Sequence, residues 1–369
     1  MKITFDIIIS GCLTHCRHCY VNGGPAKFTS TKHLLNNLPR IKNLINMLED
    51  KVGTVDIWFD YEPLSHPEFA TIVTAFKKEF PSKLDFTNME WPTTGISLLR
   101  HSYRNGVNII ALRQLNVHQI FFTFAGYKDS HNQHVKRQHA FEDQIEAIKL
   151  LHGLGFRPSA RILLTNDIVH ELPLLFQTLQ TLPLEHRSIR VSDYVPTDRI
   201  RSLEQFRPTV EDVFPYLDSI IAFCNDHTQL FWEDFEMYSE AALCEKILKE
   251  YSATTTFEDI ESCLPEWIFL TLDSDLRLYH GNAGQFTWYI GSVVENRNKK
   301  IIEKIIDFGP NYHYAAFFKE LKRLPIPLEV LKREPYSGRK IYGNEHDFLL
   351  KCLDEYMENH SQLRKSLIQ

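Results

Sequence analysis

The chain has 369 residues, 43% of them hydrophobic, with a formal net charge of −6 and no long block of Lys or Arg. That is enough apolar material for one large domain and a smaller module. It excludes a nucleic-acid footprint of basic residues interleaved with aromatics, and no stretch reaches the length of a membrane span.

The chain opens on a strand-like run, Ile3–Ile9, which carries Asp6 and so is not a signal peptide. Cys12, Cys16 and Cys19 follow at C-x3-C-x2-C spacing. A helical pattern comes next: Leu34, Leu35, Leu38, Ile41, Leu44, Ile45 and Leu48, with Ser30 and Thr31 as N-caps and Pro39 as a kink or split. Further strands are expected at Thr54–Phe59, Lys83–Thr87, Val117–Phe124, Arg157–Leu164 and Ser188–Val195. Phe141, Ile145, Ile148 and Leu151 form a second helical stripe that stops at Gly153 and Gly155. Strands alternating with helices imply parallel pairing and a barrel-like α/β fold.

After about residue 200 the alternation ends. Helices are expected around Thr209–Asn225, Met237–Tyr251, Asn311–Leu324 and Glu345–Glu358, and a hairpin from Trp267–Thr271 to Leu276–Tyr279 across Asp273-Ser274-Asp275. A boundary near residues 200–215, flanked by Pro196 and Pro208, divides a core at 1–205 from a tail at 206–369.

Seven cysteines, three clustered and four scattered, are an odd count without regular spacing. They are not a disulfide framework and point to a reducing, cytoplasmic compartment. Three thiolates at this spacing can hold three irons of a cubane and leave the fourth open. They can also start a zinc site, with His15 or His18 as a fourth ligand, although no second C-x2-C pair exists.

The triplet, on a loop after the first strand, resembles the signature of the radical S-adenosylmethionine (radical SAM) superfamily. That resemblance implies a partial (β/α)6 barrel with its chemistry at the C-terminal strand ends. It implies a [4Fe-4S] cluster on Cys12, Cys16 and Cys19, and SAM on the open iron. Asp60-Tyr61-Glu62-Pro63-Leu64-Ser65-His66-Pro67 resembles the family's Gly-Gly-Glu-Pro-Leu-x-His-Pro, with Asp60 and Tyr61 in place of the glycines. Glu62 would then meet the SAM amino group.

The same resemblance extends more weakly along the chain. Asn88, Thr123 on the fourth strand, and Arg161 and Asn166 on or after the fifth stand where the family contacts SAM. Arg137 would hold its carboxylate. Tyr194 would pack on adenine, as would His18, which precedes the third cysteine. Asp60 and Tyr20 complete the expected SAM environment.

In the tail, Cys263, the hairpin and Tyr289-Ile290-Gly291 look like the opening of a SPASM or twitch extension. His280 stands where a second cysteine belongs, so the auxiliary cluster is expected to be lost. The implied activity is radical abstraction of hydrogen from a ribosomal peptide or small natural-product intermediate, with electrons from a flavodoxin- or ferredoxin-type donor. Cys224, Cys244, Cys263 and Cys352 are the candidates to return a hydrogen atom, each weighed against an ordinary buried thiol. The alternatives are a zinc- or cluster-stabilised α/β binding protein without radical chemistry, and a relic that keeps its cluster for structure.

Overall fold

The computed structural model describes residues 1–9, 11–19, 28–84, 86–87, 90–100, 102–192, 202–224, 238–252, 254–256, 267–281, 288–308, 339–343, 347–349, 351–352 and 354–355. In chain order the elements are β1 (Lys2–Ile8), α1 (Thr31–Lys51), β2 (Thr54–Asp60), α2 (Phe69–Glu79), β3 (Glu90–Pro92), α3 (Ile96–Arg100) and α4 (Ser102–Gln114). Then come β4 (Gln119–Phe124), α5 (Asp129–His134), α6 (Ala140–Gly153), β5 (Arg157–Leu164), α7 (Leu172–Gln180) and β6 (Arg187–Val191). The remainder holds α8 (Val210–Val213), α9 (Leu217–Phe223), α10 (Glu240–Glu250), β7 (Trp267–Leu272), β8 (Arg277–His280), β9 (Trp288–Ser292) and α11 (Asn298–Phe308).

By compactness the chain falls into two units. One unit gathers the described parts of residues 1–15, 21–120 and 260–322; the other gathers those of 16–20, 121–259 and 323–369.

The first unit is built on the sheet β2-β1-β7-β8-β9. β1 pairs in parallel with β2 on one side and with β7 on the other. Alternation along β1 turns Ile3, Phe5 and Ile7 to one face, and all three are buried with Val55, Ile57 and Phe59 of β2. The α1 stripe behaves as its spacing predicts: Leu34, Leu38, Ile41, Leu44, Ile45 and Leu48 are buried, and the Ser30 side chain accepts from the His33 N–H. Pro39 does not split α1, which runs unbroken for 21 residues.

The hairpin forms as expected, with β7 antiparallel to β8. Asp273 organises its turn: its Oδ1 accepts from the Asp275 and Arg277 N–H groups at 2.9 and 2.8 Å. α11 was not legible beforehand, yet Ile301, Ile302 and Ile305 give it a buried stripe.

The expected strand at Lys83–Thr87 is a correction. Its described residues are turn and coil. Among the described residues, single backbone bonds tie it to its two sides, from the Ile57 N–H to the Lys83 carbonyl at 3.4 Å and from the Phe86 N–H to the Leu115 carbonyl at 2.9 Å. One bond on each side anchors a segment but makes no ladder.

In the second unit β4, β5 and β6 lie side by side, with β5 and β6 parallel. α6 ends as its glycines predict: Gly155 has φ +84, and the Phe156 N–H reaches back to the Leu151 carbonyl at 3.0 Å. The expected helix at 209–225 is interrupted, since a 3-10 turn at Phe214–Tyr216 carrying Pro215 separates α8 from α9. α10 starts at the N-cap Ser239. The helix expected at Asn311–Leu324 lies outside the described residues, and that at Glu345–Glu358 is described only in part, as helix. No described helix is long and apolar enough to cross a membrane.

Candidate functional site

The end of β2 keeps the backbone form of a glycine without the glycine. Tyr61 has φ 67, the left-handed region in which a Cβ costs about 1 kcal/mol or more. Its N–H is held by Asp60 Oδ1 at 2.7 Å. Tyr61→Gly is therefore expected to be more stable than Tyr61→Ala by about 1 kcal/mol in urea unfolding, because only the alanine retains the Cβ in this conformation. Equal stability of the two would show that the turn can relax at no cost.

Glu62 follows and is 2% exposed. The Thr93 hydroxyl donates to its Oε1 at 2.8 Å and the Thr94 N–H to its Oε2 at 2.6 Å. Burial raises the carboxyl above its ordinary range, and these donors act against the rise. Each carboxylate oxygen has a second lone pair, so Glu62 can still accept from a ligand amine.

His66 explains the rest of the Glu-Pro-Leu-x-His-Pro run. Its Nδ1 accepts from the Glu68 N–H at 3.0 Å, which leaves Nε2 to donate to the Thr29 carbonyl at 2.9 Å. Thr29 in turn bonds the end of β1, its N–H donating to the Ile9 carbonyl and its hydroxyl to the Ile8 carbonyl. The motif histidine thus fastens the chain that returns from the cysteine segment.

The cysteine loop is described in two parts. Cys12 belongs to the first unit, with its sulfur 3.0 Å from Thr14 Oγ1. Cys16 and Cys19 belong to the second, where the Cys19 N–H donates to the Cys16 carbonyl at 3.2 Å. All three are thiols rather than disulfide partners, and all are half-buried. Among the described residues no group of three or more His, Cys, Asp and Glu side chains stands ready to hold a metal ion.

Between these cysteines the loop is tied to α5. The Arg17 N–H donates to the His134 carbonyl at 2.9 Å. His18 Nδ1 lies 2.8 Å from His134 Nε2, with the rings stacked at 5.0 Å. His131 on the same helix accepts from the Ala125 N–H through Nδ1, and its buried Nε2 has no partner among the described residues. Burial lowers the three imidazoles, to about 4 for His18, about 3 for His131 and about 2 for His134, so all are neutral at pH 7.

Other expected SAM contacts fall in the second unit. Arg161 on β5 stacks over Phe121 of β4 at 4.4 Å, and Thr123, two residues beyond Phe121, shares its face. Asn166 turns elsewhere, donating to the Gln205 and Phe206 carbonyls. Arg137 makes a loose ion pair with Asp143 at 3.6 Å, and its buried Nε has no acceptor among the described residues. A guanidinium with an unused buried N–H fits a ligand carboxylate.

Cys244 and Cys352 are buried, Cys224 is half-buried, and burial pushes the Cys244 thiol up. A protonated thiol is the form that can donate a hydrogen atom. Tyr20, Asn88, Tyr194 and Cys263 lie outside the described residues. Sequence reasoning missed Thr93, Thr94 and the pairing of His134 with His18, because each is a partner far along the chain. It also passed over Asp6, although a carboxylate inside an apolar strand was a visible signal.

Three thiols on one short loop match the donor set of a [4Fe-4S] cluster. A model of the Radical SAM superfamily matches residues 7–172, which contain all three cysteines, Glu62, Thr123, Arg137 and Arg161. No curated protein sequence matches the chain. Native anSMEcpe with bound AdoMet and Kp18Cys peptide aligns at 14% identity over 100% of this chain and 99% of that one, with a TM-score of 0.51. Native anSMEcpe with bound AdoMet aligns at 14% identity over 100% of both chains, with a TM-score of 0.50. At such identity the likeness shows a shared fold alone. Members of this superfamily are enzymes that use a [4Fe-4S] cluster and SAM. The cysteine loop and the strand-end motif both lie inside this match, and over residues 7–172 the chain is similar to the Radical SAM superfamily.

Proposed function

We propose that this protein is a radical SAM enzyme that acts on a peptide or a small natural-product substrate. The observation that carries the reading is the C-x3-C-x2-C loop inside the family match. Cys12, Cys16 and Cys19 supply three thiolates to a [4Fe-4S] cluster. When bound, the cluster and SAM supply a 5′-deoxyadenosyl radical that removes hydrogen from the substrate.

The chain's own residues bind, orient and shield. Glu62 accepts from the SAM amine, with Asp60 beside it at the strand end, and Arg137 binds the carboxylate. Thr123 and Arg161 offer a hydroxyl and a stacked cation from one face, and Asn88, Tyr20 and Tyr194 are the further SAM contacts that the family resemblance implies. His18, stacked on His134, presents a flat neutral ring. The peptide reading is supported by the β7–β8 hairpin, which suits a SPASM-like tail that has lost its auxiliary cluster, and by the peptide bound to anSMEcpe. A flavodoxin- or ferredoxin-type protein in a reducing cytoplasm would supply the electron. Cys224, Cys244, Cys263 and Cys352 are the thiols to test as hydrogen donors.

The test is anaerobic. The chain is reconstituted with iron and sulfide, given dithionite and SAM, and 5′-deoxyadenosine is quantified. Cluster-dependent 5′-deoxyadenosine is expected. Stoichiometric zinc without a cluster would replace this reading by the binding protein.

A further inference from the structure

The sheet of the first unit has a second face. In parallel pairing, register partners point to the same side. Asp6 is opposite Trp58 on β2 and Thr271 on β7, and Ile8 is opposite Asp60. Thr4, Asp6, Trp58, Asp60 and Thr271 therefore share the face turned away from Ile3, Phe5 and Ile7. Asp6 is 5% exposed, whereas Trp58 and Asp60 on the neighbouring strand are only half-buried.

The partners that could neutralise Asp6 are engaged elsewhere. The Thr271 hydroxyl donates to the Gly281 carbonyl at 2.8 Å. Lys2, at the other end of β1, pairs with Asp56 at 3.0 Å. Asp60 accepts from its neighbour's N–H. Among the described residues no hydrogen-bond donor and no cation reaches the Asp6 carboxyl, and the charged group nearest to it in effect is a second acid. Burial first, and Asp60 second, hold its pKa well above the ordinary carboxylate range; burial raises Asp60 as well. A buried acid without a donor costs several kcal/mol. Such arrangements persist where a ligand completes them.

We propose that Asp6 and Asp60, with Trp58 between them on the same face, form a subsite for an organic cation, a primary ammonium or guanidinium group. Among the described residues no third metal-ligating side chain is gathered beside the two carboxyls, and two alone do not make a metal cage. They do suit a group with several N–H donors, and the indole adds a surface that favours cations. The cation belongs either to SAM itself or to a basic group of the molecule acted on. The inference goes beyond the proposed function, because the face exists whether or not SAM is cleaved.

The test uses the full chain with its reconstituted cluster and follows 13C-methylammonium by NMR line broadening, with methanol as the neutral control. Asp6→Asn and Asp60→Asn are expected to weaken methylammonium binding by about tenfold or more, as loss of a buried charge partner does. Methanol is expected not to bind. Both variants are expected to melt no lower than the parent, since each removes an acid that burial disfavours; the half-buried Asp60 variant serves if the Asp6 variant does not fold. Displacement of methylammonium by SAM identifies the cation as SAM's own. Joint binding identifies it as the substrate's. Unchanged methylammonium affinity in folded Asp6→Asn and Asp60→Asn chains overturns the subsite. Failure of the radical reading is separate: it appears as absent 5′-deoxyadenosine with Asp6-dependent binding intact.

Discussion

Cys16→Ala is expected to remove the iron and sulfide that reconstitution introduces, and with them all cluster-dependent 5′-deoxyadenosine. The reason is arithmetic. A cubane held by three thiolates and open at its fourth iron has no spare protein ligand, and the four remaining cysteines are scattered far along the chain. Cys12→Ala and Cys19→Ala should behave alike, whereas Cys244→Ala and Cys352→Ala should keep the full iron content. Iron and acid-labile sulfide per chain check this directly. A Cys16→Ala protein with a complete cluster would sink the ligand assignment, however strong the family match.

The second large effect concerns Glu62. Its two oxygens satisfy the Thr93 hydroxyl and the Thr94 N–H, and the residue is almost fully buried. Glu62→Ala leaves both donors without an acceptor, at about 1–3 kcal/mol each. A loss of roughly 2–5 kcal/mol in denaturant unfolding is expected, together with weakened SAM binding. Glu62→Gln keeps the shape and one acceptor oxygen, so it should lose less stability.

The sign of the pH dependence follows from the raised carboxyl. The native state binds its proton more readily than the unfolded chain does, so this contribution is complete below the ordinary value of 4.5 and fades as pH rises through the raised one. The deficit of Glu62→Gln relative to the parent should therefore be larger near pH 4 than near pH 8. A deficit that grows with pH would mean that the hydrogen bonds, rather than burial, set the titration.

Local chemistry was legible in the sequence wherever one segment decides its own structure. β1 and β2 announce themselves by β-branched and aromatic residues in alternation, β5 by the apolar run Ile162-Leu163-Leu164, α1 by its stripe and Ser30 cap, α6 by its glycines, and the hairpin by Asp273. The segment at Lys83–Thr87 reads as a strand by composition, but its described residues are turn and coil, and strand identity is a property of pairing. The parallel pairing of β1 with β7 is equally invisible, since nothing in Ile3–Ile9 names a partner near residue 270. The site divides in the same way. Three cysteines and Glu62-Pro63 are local signals, whereas the Thr93 and Thr94 clasp and the His134 ring beneath His18 are tertiary. Asp6 was the exception: its place among alternating apolar residues was visible and its meaning was not.

The pairing of β1 with β7 has a consequence for how the chain reaches this state. During synthesis β1 and β2 emerge early, yet the strand that covers β1's other edge comes some 260 residues later. Until then an apolar strand, Ile3, Phe5 and Ile7 among its residues, presents unpaired backbone groups, the arrangement that invites pairing with another chain. The native order depends on contacts of very long sequence separation, which form slowly. A chain stopped before Trp267 would keep its cysteine loop and strand-end motif but leave the first sheet with an open, sticky edge. The tail is in this sense the last plank of the sheet on which the N-terminal chemistry is built.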